Sequence, residues 1–498
     1  MAGGRGSAGS FMIPAPKGVY QADGDTNINV NYAARAQNIR TEYGMLASSH
    51  GTSVSDMPPL PEPAQTLVRF YRRNRAEEED YADVFVAGAG GRLYAYTAGS
   101  DGWMEYGETF YSSKWSSATY EAVVEGETVD ILLLSNEKDG MVAIYGTDDL
   151  RLERKMLKLG EGNEEVKFAV LGRHAERIWG AGDRKHPDSI YYSRPYDPFD
   201  WTGRDDMPEQ GGGMIQLPTW DGDAFIALEP FGGYMLAVKQ RTVFEVRGTD
   251  PSSFAVTAAY GTSGPVAGRT VCTDRLRTYF LSQSGLGAYD GTSIQLLARD
   301  ALHETMSLRA ADSAHLATAC VCDHVYYLAL CIDDGDNTVI GNNTVIEFDT
   351  ERGTFMIRKG IYVRDFYVLG GTIYYTRADS PHDVMIYNDR RSSTYNLQPI
   401  KSIWETPWLD LGKSYVKRDF ELRFTAQADA DSVPLDMEII TERKEKKKTV
   451  LLGQRRRDYR VKIQNSGKRV KLRVSSGKKA AGFRIFGGIE VGYTAEED

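Results

Sequence analysis

The sequence predicts an all-β chain: a six- or seven-bladed β-propeller with an extended N-terminal arm and a C-terminal antiparallel β-sandwich. Three observations carry that reading. Two near-repeats, Ile190-Tyr191-Tyr192-Ser193-Arg194 and Ile373-Tyr374-Tyr375-Thr376-Arg377, sit in a long series of short aromatic strands closed by Gly- or Asp-rich turns. The strand Gly140 to Tyr145 and the strand Gly285 to Tyr289 each end in Tyr and run into a Gly turn. A strand-turn unit recycled roughly every 40–50 residues marks a radial β-repeat, and four-stranded units of that length are blades whose ring closure removes exposed sheet edges. Composition agrees. At 498 residues the chain exceeds what one core serves, and Tyr (29) outnumbers Phe (18) and Trp (7), as suits strands with one half-wet face.

Residues 1–64 form the arm, with few apolar clusters and a stiff segment, Pro58-Pro59-Leu60-Pro61-Glu62-Pro63. Composition leaves open whether it is disordered or lies across a neighbour. The propeller spans 65–399. Its first group contains strands at 67–71, 84–86, 92–96 and 103–106, and its second at 120–124, 129–134, 141–145 and 150–157. The third runs through 166–171, 177–180, 189–193 and 213–217, and the fourth through 224–228, 234–238, 242–246 and 254–260. The fifth shows three strands, at 277–281, 287–289 and 293–297, followed by a short helix at 301–308. The sixth covers 315–322, 325–331, 344–348 and 354–357; the seventh is incomplete, at 364–368, 372–376 and 384–387. A strand from the arm would complete it and close the ring. A double β-sandwich is the competing architecture. Residues 400–498 change character, with longer alternating strands at 419–426, 435–441, 459–463, 469–474 and 483–492.

Charge divides along the same boundary. The formal net charge is -10, yet the segment from Lys401 onward holds 22 Lys and Arg against 15 Asp and Glu, leaving it at +7 and the remainder at -17. An acidic body with a basic terminal domain points to a partner at one end or to self-complementary assembly. Lys444, Lys446, Lys447, Lys448, Arg455, Arg456 and Arg457 are the candidate partner contacts, read as hairpin tips. They could neutralise phosphates, but little aromatic residue interleaves with them, which disfavours a single-strand stacking groove. An acidic protein surface fits equally well.

No catalytic, cofactor-binding or metal-ligating residue is assigned, and the chain is expected not to be an enzyme. Gly412-Lys413-Ser414 lacks the helix of a phosphate loop, and Gly88-Ala89-Gly90-Gly91 is a turn. His303-Glu304 lacks a second His, and no nucleophile elbow occurs. Asp183, Asp188, Asp197, Asp200, Asp221 and Asp223 are numerous enough to supply a glycosidase pair, but Asp in such repeats mostly shapes turns. Asp333-Asp334-Gly335-Asp336-Asn337 reads as a polar hairpin tip before a calcium site. Cys320 and Cys322 should share one strand face; a zinc site with Cys331 and His324 is outweighed by ordinary buried thiols. No run approaches the roughly 20 apolar residues that span a bilayer, and Met1 to Pro16 lack the apolar stretch of a secretory signal, so a cytoplasmic product is expected.

Longer constellations add a resemblance. Gln37-Asn38-Ile39-Arg40-Thr41-Glu42-Tyr43-Gly44, followed by Leu67-Val68-Arg69-Phe70, resembles the opening of a group of tailed-bacteriophage β-propeller proteins. His186-Pro187-Asp188-Ser189-Ile190-Tyr191-Tyr192-Ser193, with Asp197-Pro198-Phe199-Asp200-Trp201, is similar to their central signature. Gly248-Thr249-Asp250-Pro251-Ser252-Ser253-Phe254 resembles the blade that follows. Trp408-Leu409-Asp410-Leu411-Gly412 and Phe483-Arg484-Ile485-Phe486-Gly487-Gly488 resemble the boundaries of their C-terminal sandwich. The group comprises head–tail connector and tail nozzle proteins, packaged-DNA stabilisation proteins among them. The resemblance implies a virion protein assembled in the host cytoplasm. It would form a homo-oligomeric ring, typically sixfold, against portal, adaptor or tail proteins, close to the double-stranded DNA it retains or delivers. A carbohydrate- or receptor-binding tail protein is the alternative, and a propeller glycoside hydrolase stands behind that.

Overall fold

A computed structural model describes the chain except residues 1–6, 22–27, 43, 74–80, 125, 147–149, 158, 160–165, 220–221, 262–263, 334, 336–340, 380–381, 413 and 496–498, and the side chains of 7, 73, 81 and 82. Five four-stranded antiparallel sheets follow one another in the chain. They run from Ala64–Arg73 to Met104–Glu105, from Ser116–Val124 to Arg151–Lys155, from Val170–His174 to Gly213–Gln216, from Phe225–Phe231 to Ala255–Ala258, and from Cys272–Asp274 to Ile294–Leu296. The sixth blade is Thr318–Cys322, Val325–Leu330, Asn342–Asp349 and the first half of the 16-residue strand Thr354–Leu369. That strand passes Gly360, whose φ of 89° only glycine adopts freely, and its second half opens the seventh blade. Thr372–Arg377 and Val384–Asp389 follow, and the fourth strand is Gly51–Val54 from the arm.

The blades form a ring. The first strand of blade 1 touches blade 2, and the first strands then touch in order through blades 3, 4, 5, 6 and 7, with Thr354–Leu369 returning to Ala64–Arg73. Seven blades close, and the expected arm strand completes the last. The packing follows from period-two alternation in strands buried on both faces. In the run Ile131-Leu132-Leu133-Leu134, Ile131 and Leu133 pack with Phe168, Tyr191 and Trp201 towards blade 3. Leu132 and Leu134 pack with Phe70, Val86 and Trp115 towards blade 1. Blade 4 repeats the device, Met235 and Ala237 facing one way and Leu236 and Val238 the other.

The sandwich takes strands from both chain ends. One sheet has the order Ile39–Glu42, Met45–Ser48, Phe483–Ala495, Lys417–Ala428, Arg457–Gly467, with Ser7–Ile13 also paired to Phe483–Ala495. The other runs Arg35–Gln37, Ser402–Glu405, Val470–Ser476, Val433–Thr441, Glu445–Leu452. Phe420, Leu422 and Ala426 of the first meet Leu435, Met437 and Ile439 of the second in a fully buried core. The described parts of the arm therefore lie within their own chain. Asn38 ties the pieces together: its side chain donates to the Lys359 and Lys401 carbonyls (3.1 and 2.8 Å) and accepts from the Lys359 N–H (2.8 Å). Its φ of 55° is one that Asn tolerates better than most residues.

Two expectations change. The fifth blade has a fourth strand, Cys272–Asp274, too short and polar to stand out in the sequence. The lysine run is a hairpin tip only at Lys444, which lies in the turn closed by Thr441; Glu445–Leu452 is a strand, held by register with Val433–Thr441.

Candidate functional site

Of the seven predicted contact residues, Lys446, Lys447 and Lys448 lie on Glu445–Leu452, Lys444 precedes it, Arg455 and Arg456 lie in the following turn, and Arg457 opens the next strand. All are exposed. The turn carries the chain from one sheet to the other, so the cluster wraps one edge of the sandwich. Its geometry is fixed by Tyr459, whose hydroxyl accepts from the Gly453 N–H (3.1 Å), and by Asp431, which accepts from the Gln454 N–H (3.2 Å). Among the described residues Glu445–Leu452 pairs on one side only, with Val433–Thr441. Lysines on such an edge also block unwanted strand addition.

Some of these cations meet a partner among the described residues. Lys447 approaches Asp436 (3.6 Å), which Lys478 also holds (2.9 Å). Arg456 lies over the Phe486 ring, 4.1 Å from its centre. Sequence reasoning missed Arg460 and Lys462, which extend the cluster along Arg457–Gly467. Both reach for Glu421 (3.3 and 3.7 Å), already bonded to Arg423 (2.7 Å). Three cations share that carboxylate, which the Arg423 hydrogen bond holds below the ordinary range. Strand alternation could have found them, because Arg460 and Lys462 flank the buried Val461.

Within the ring, the first strands of blades 4, 5 and 6 bring Glu229, Cys272 and Cys320 together. Glu229 accepts from the Thr273 N–H (2.9 Å), and Cys272 donates to the Ala319 carbonyl. Burial raises Glu229 to about 7 against the donors of Thr273. The folded protein therefore binds this proton more tightly than the unfolded chain, and stability falls as pH rises from about 4.5 to about 7. Glu229→Gln is expected to raise the thermal midpoint at pH 8 and leave it unchanged at pH 4; equal shifts at both values would contradict this account.

The other candidate groups are engaged locally. Asp197 accepts from the Phe199 and Asp200 N–H groups, Asp200 binds Thr202 and Arg194, and Asp223 accepts from the Arg241 N–H. Asp188 meets Gln216, and Asp183 accepts from the Lys185 N–H. Asp221, Lys413, Asp334, Asp336 and Asn337 lie outside the described residues. Cys320 and Cys322 share one apolar cluster, as their spacing predicts, whereas His324 faces Asp274 (3.2 Å) and Cys331 is buried elsewhere. Gly88 lies in a strand and Gly90-Gly91 form the turn after it.

These features define a seven-bladed β-propeller joined to a β-sandwich. No family model matches the chain, and no curated protein matches it. Among solved structures it is similar to BamB from Moraxella catarrhalis (9% identity, TM-score 0.40, covering 69% of this chain and 98% of that one). It is also similar to the Pan2 WD40 domain of Neurospora crassa (11% identity, TM-score 0.37, 69% and 96%) and to the WD40 propeller domain of Doa1 (11% identity, TM-score 0.34, 69% and 98%). Likenesses this distant say nothing of function, and the propeller rests on strand pairing and ring closure in this chain.

Proposed function

We propose that the chain is a structural subunit of a tailed-phage virion, forming a homo-oligomeric ring, sixfold by the resemblance, in the head–tail connector or tail nozzle around the DNA channel. One observation carries the reading: exposed cations of the sandwich, Lys444, Lys446, Lys448, Arg455 and Arg457 among them, gather at one edge while the rest of the chain stands at -17. Such a dipolar body docks in one orientation on an acidic neighbour, whether portal, adaptor, tail protein or another copy. An acidic propeller turned towards the channel would keep packaged DNA from adhering while the genome is retained or delivered. The capping roles of Asp197, Asp200 and Asp223 favour a non-enzymatic scaffold.

Charge reversal tests this. In the quadruple variant Lys446→Glu, Lys448→Glu, Arg455→Glu, Arg457→Glu, rings seen by negative-stain microscopy of the full chain should disappear while the thermal midpoint changes little. The reading fails if the unaltered chain stays monomeric at high concentration and is also absent from tailed particles analysed by mass spectrometry. A second reading, glycan or receptor recognition, draws on Tyr111, Tyr196 and Tyr260, which are 87%, 71% and 84% exposed. Binding on a glycan array that is lost on their replacement by Ala would favour it.

A further inference from the structure

Blade 5 carries a cleft that gathers arginines and no carboxylate. Its two central strands, Arg277–Ser282 and Gly285–Tyr289, are joined by the turn Gln283-Ser284. The Ser282 hydroxyl braces that turn, accepting from the Ser284 N–H (3.2 Å) and donating to the Gly285 carbonyl (2.9 Å). From the outer strand Ile294–Leu296 the chain runs into the short helix His303–Ser307, anchored by Ala298 and Leu302, which pack in one core with Leu281 and Leu286. Arg309, just past the helix, reaches back over the turn and donates to the Ser282 and Gln283 carbonyls (2.8 and 2.9 Å). Turn, outer strand and helix thus enclose a cleft of about 430 Å³. Arg299, His303 and Arg309 line it together with Leu296 and Met306, and among the described residues no Asp or Glu does.

Other propeller arginines are answered by an acid: Arg69 by Asp83 (2.7 Å), Arg377 by Asp379 (2.7 Å) and Arg275 by Glu351 (3.0 Å). Arg309 is half-buried and bonds only to carbonyls; burial pushes it below its ordinary value with no carboxylate pulling the other way. Those carbonyls hold the guanidinium in place, so a ligand need not order it, and the planar fork keeps further N–H donors. The Arg299 guanidinium, exposed on the connection to the helix, has no partner among the described residues. Two arginines on one cleft without an acid make a positive potential that an anion relieves, and the volume is that of a small-molecule site. We propose that the cleft binds a small organic oxyanion, its phosphate or carboxylate group held by Arg309 and Arg299 and its apolar body laid against Leu296 and Met306. Guanidinium forks match both groups in two-point contact. Leu296 is 41% exposed, apolar surface that such a body would cover. The cleft shares no residue with the sandwich edge, so it stands or falls independently of the ring reading.

The test uses the full chain, with phenyl phosphate, benzoate and inorganic phosphate as probes at equal ionic strength. Calorimetric titration should show at least one of the two organic probes binding about tenfold more tightly than inorganic phosphate, as covering a small apolar body gives. Arg309→Gln should abolish binding, but it also releases the turn. Arg299→Gln therefore carries the test: it should weaken the binding about tenfold, as loss of a charge-assisted contact does, and leave the thermal midpoint of the unliganded protein unchanged. Leu296→Ser should erase the preference for the organic probe while inorganic phosphate binds as before. Tighter binding of phenyl phosphate assigns the ligand to phosphate monoesters, and tighter binding of benzoate assigns it to carboxylates. Absence of binding by either at millimolar concentration, affinity unchanged in Arg299→Gln, or inorganic phosphate matching the organic probes overturns the proposal.

Discussion

A chain lacking residues 1–63 is expected to lose cooperative folding. The truncation removes Gly51–Val54, the strand that completes blade 7, together with Arg35–Gln37, Ile39–Glu42, Met45–Ser48 and Ser7–Ile13 of the sandwich. It also withdraws Ile13, Val19, Ile39, Leu46 and Leu60, none more than 2% exposed. At roughly 1.5–3 kcal/mol per buried aliphatic side chain, their burial amounts to about 7–15 kcal/mol. That is as large as the whole stability of a typical native protein, about 5–15 kcal/mol. Circular dichroism and thermal melting should show no native transition in the truncated chain. A narrower variant isolates closure from lost bulk. Ser55→Pro deletes the N–H that donates to the Val384 carbonyl (2.9 Å) and the hydroxyl that accepts from the Met57 N–H. It should cost about 1–3 kcal/mol in urea unfolding. A native-like melt of the truncated chain would show that the ring does not depend on the arm.

That dependence was half legible. The blades announce themselves because their turns are local chemistry: Gly and Asp positions such as Gly140, Gly285 and Asp290 impose conformation without help from distant residues. The apolar run Ile131 to Leu134 likewise declares a strand buried on both faces. Non-local decisions left weaker marks. Thr354–Leu369 reads as two strands because Arg358-Lys359-Gly360 imitates a turn, yet pairing with blade 6 on one half and blade 7 on the other keeps it continuous. Glu445–Leu452 reads as a loop because its lysines break the apolar alternation; its ladder with Val433–Thr441 overrides that local preference. Composition disclosed the positive charge of the C-terminal segment but not that Lys447 shares Asp436 with Lys478. Arg269 carried no signal at all, since the Gln65 carbonyl it reaches lies 204 residues away.

Where blades 6 and 7 meet the arm, a buried ion pair sets the largest single-residue effect expected in the molecule. Arg358, 3% exposed, sits 3.0 Å from Glu347, which also accepts from the Tyr387 hydroxyl (2.8 Å). Tyr387 and the neighbouring Tyr327 and Tyr395 belong to the apolar cluster there, so water cannot replace a missing partner. Two consequences differ in sign of reasoning. Keeping the pair adds little over an apolar pair of equal volume, because desolvation cancels much of the Coulomb gain. Breaking it strands a carboxylate in a site built for a salt bridge. Arg358→Met should therefore destabilise by about 3–5 kcal/mol, read as a lowered urea midpoint. Adding Glu347→Gln removes the stranded charge while preserving an acceptor for Tyr387, and should recover most of the loss. If the double variant were as unstable as the single one, the cost would lie in lost packing by the Arg358 side chain, and the pair would owe its place to shape instead of charge.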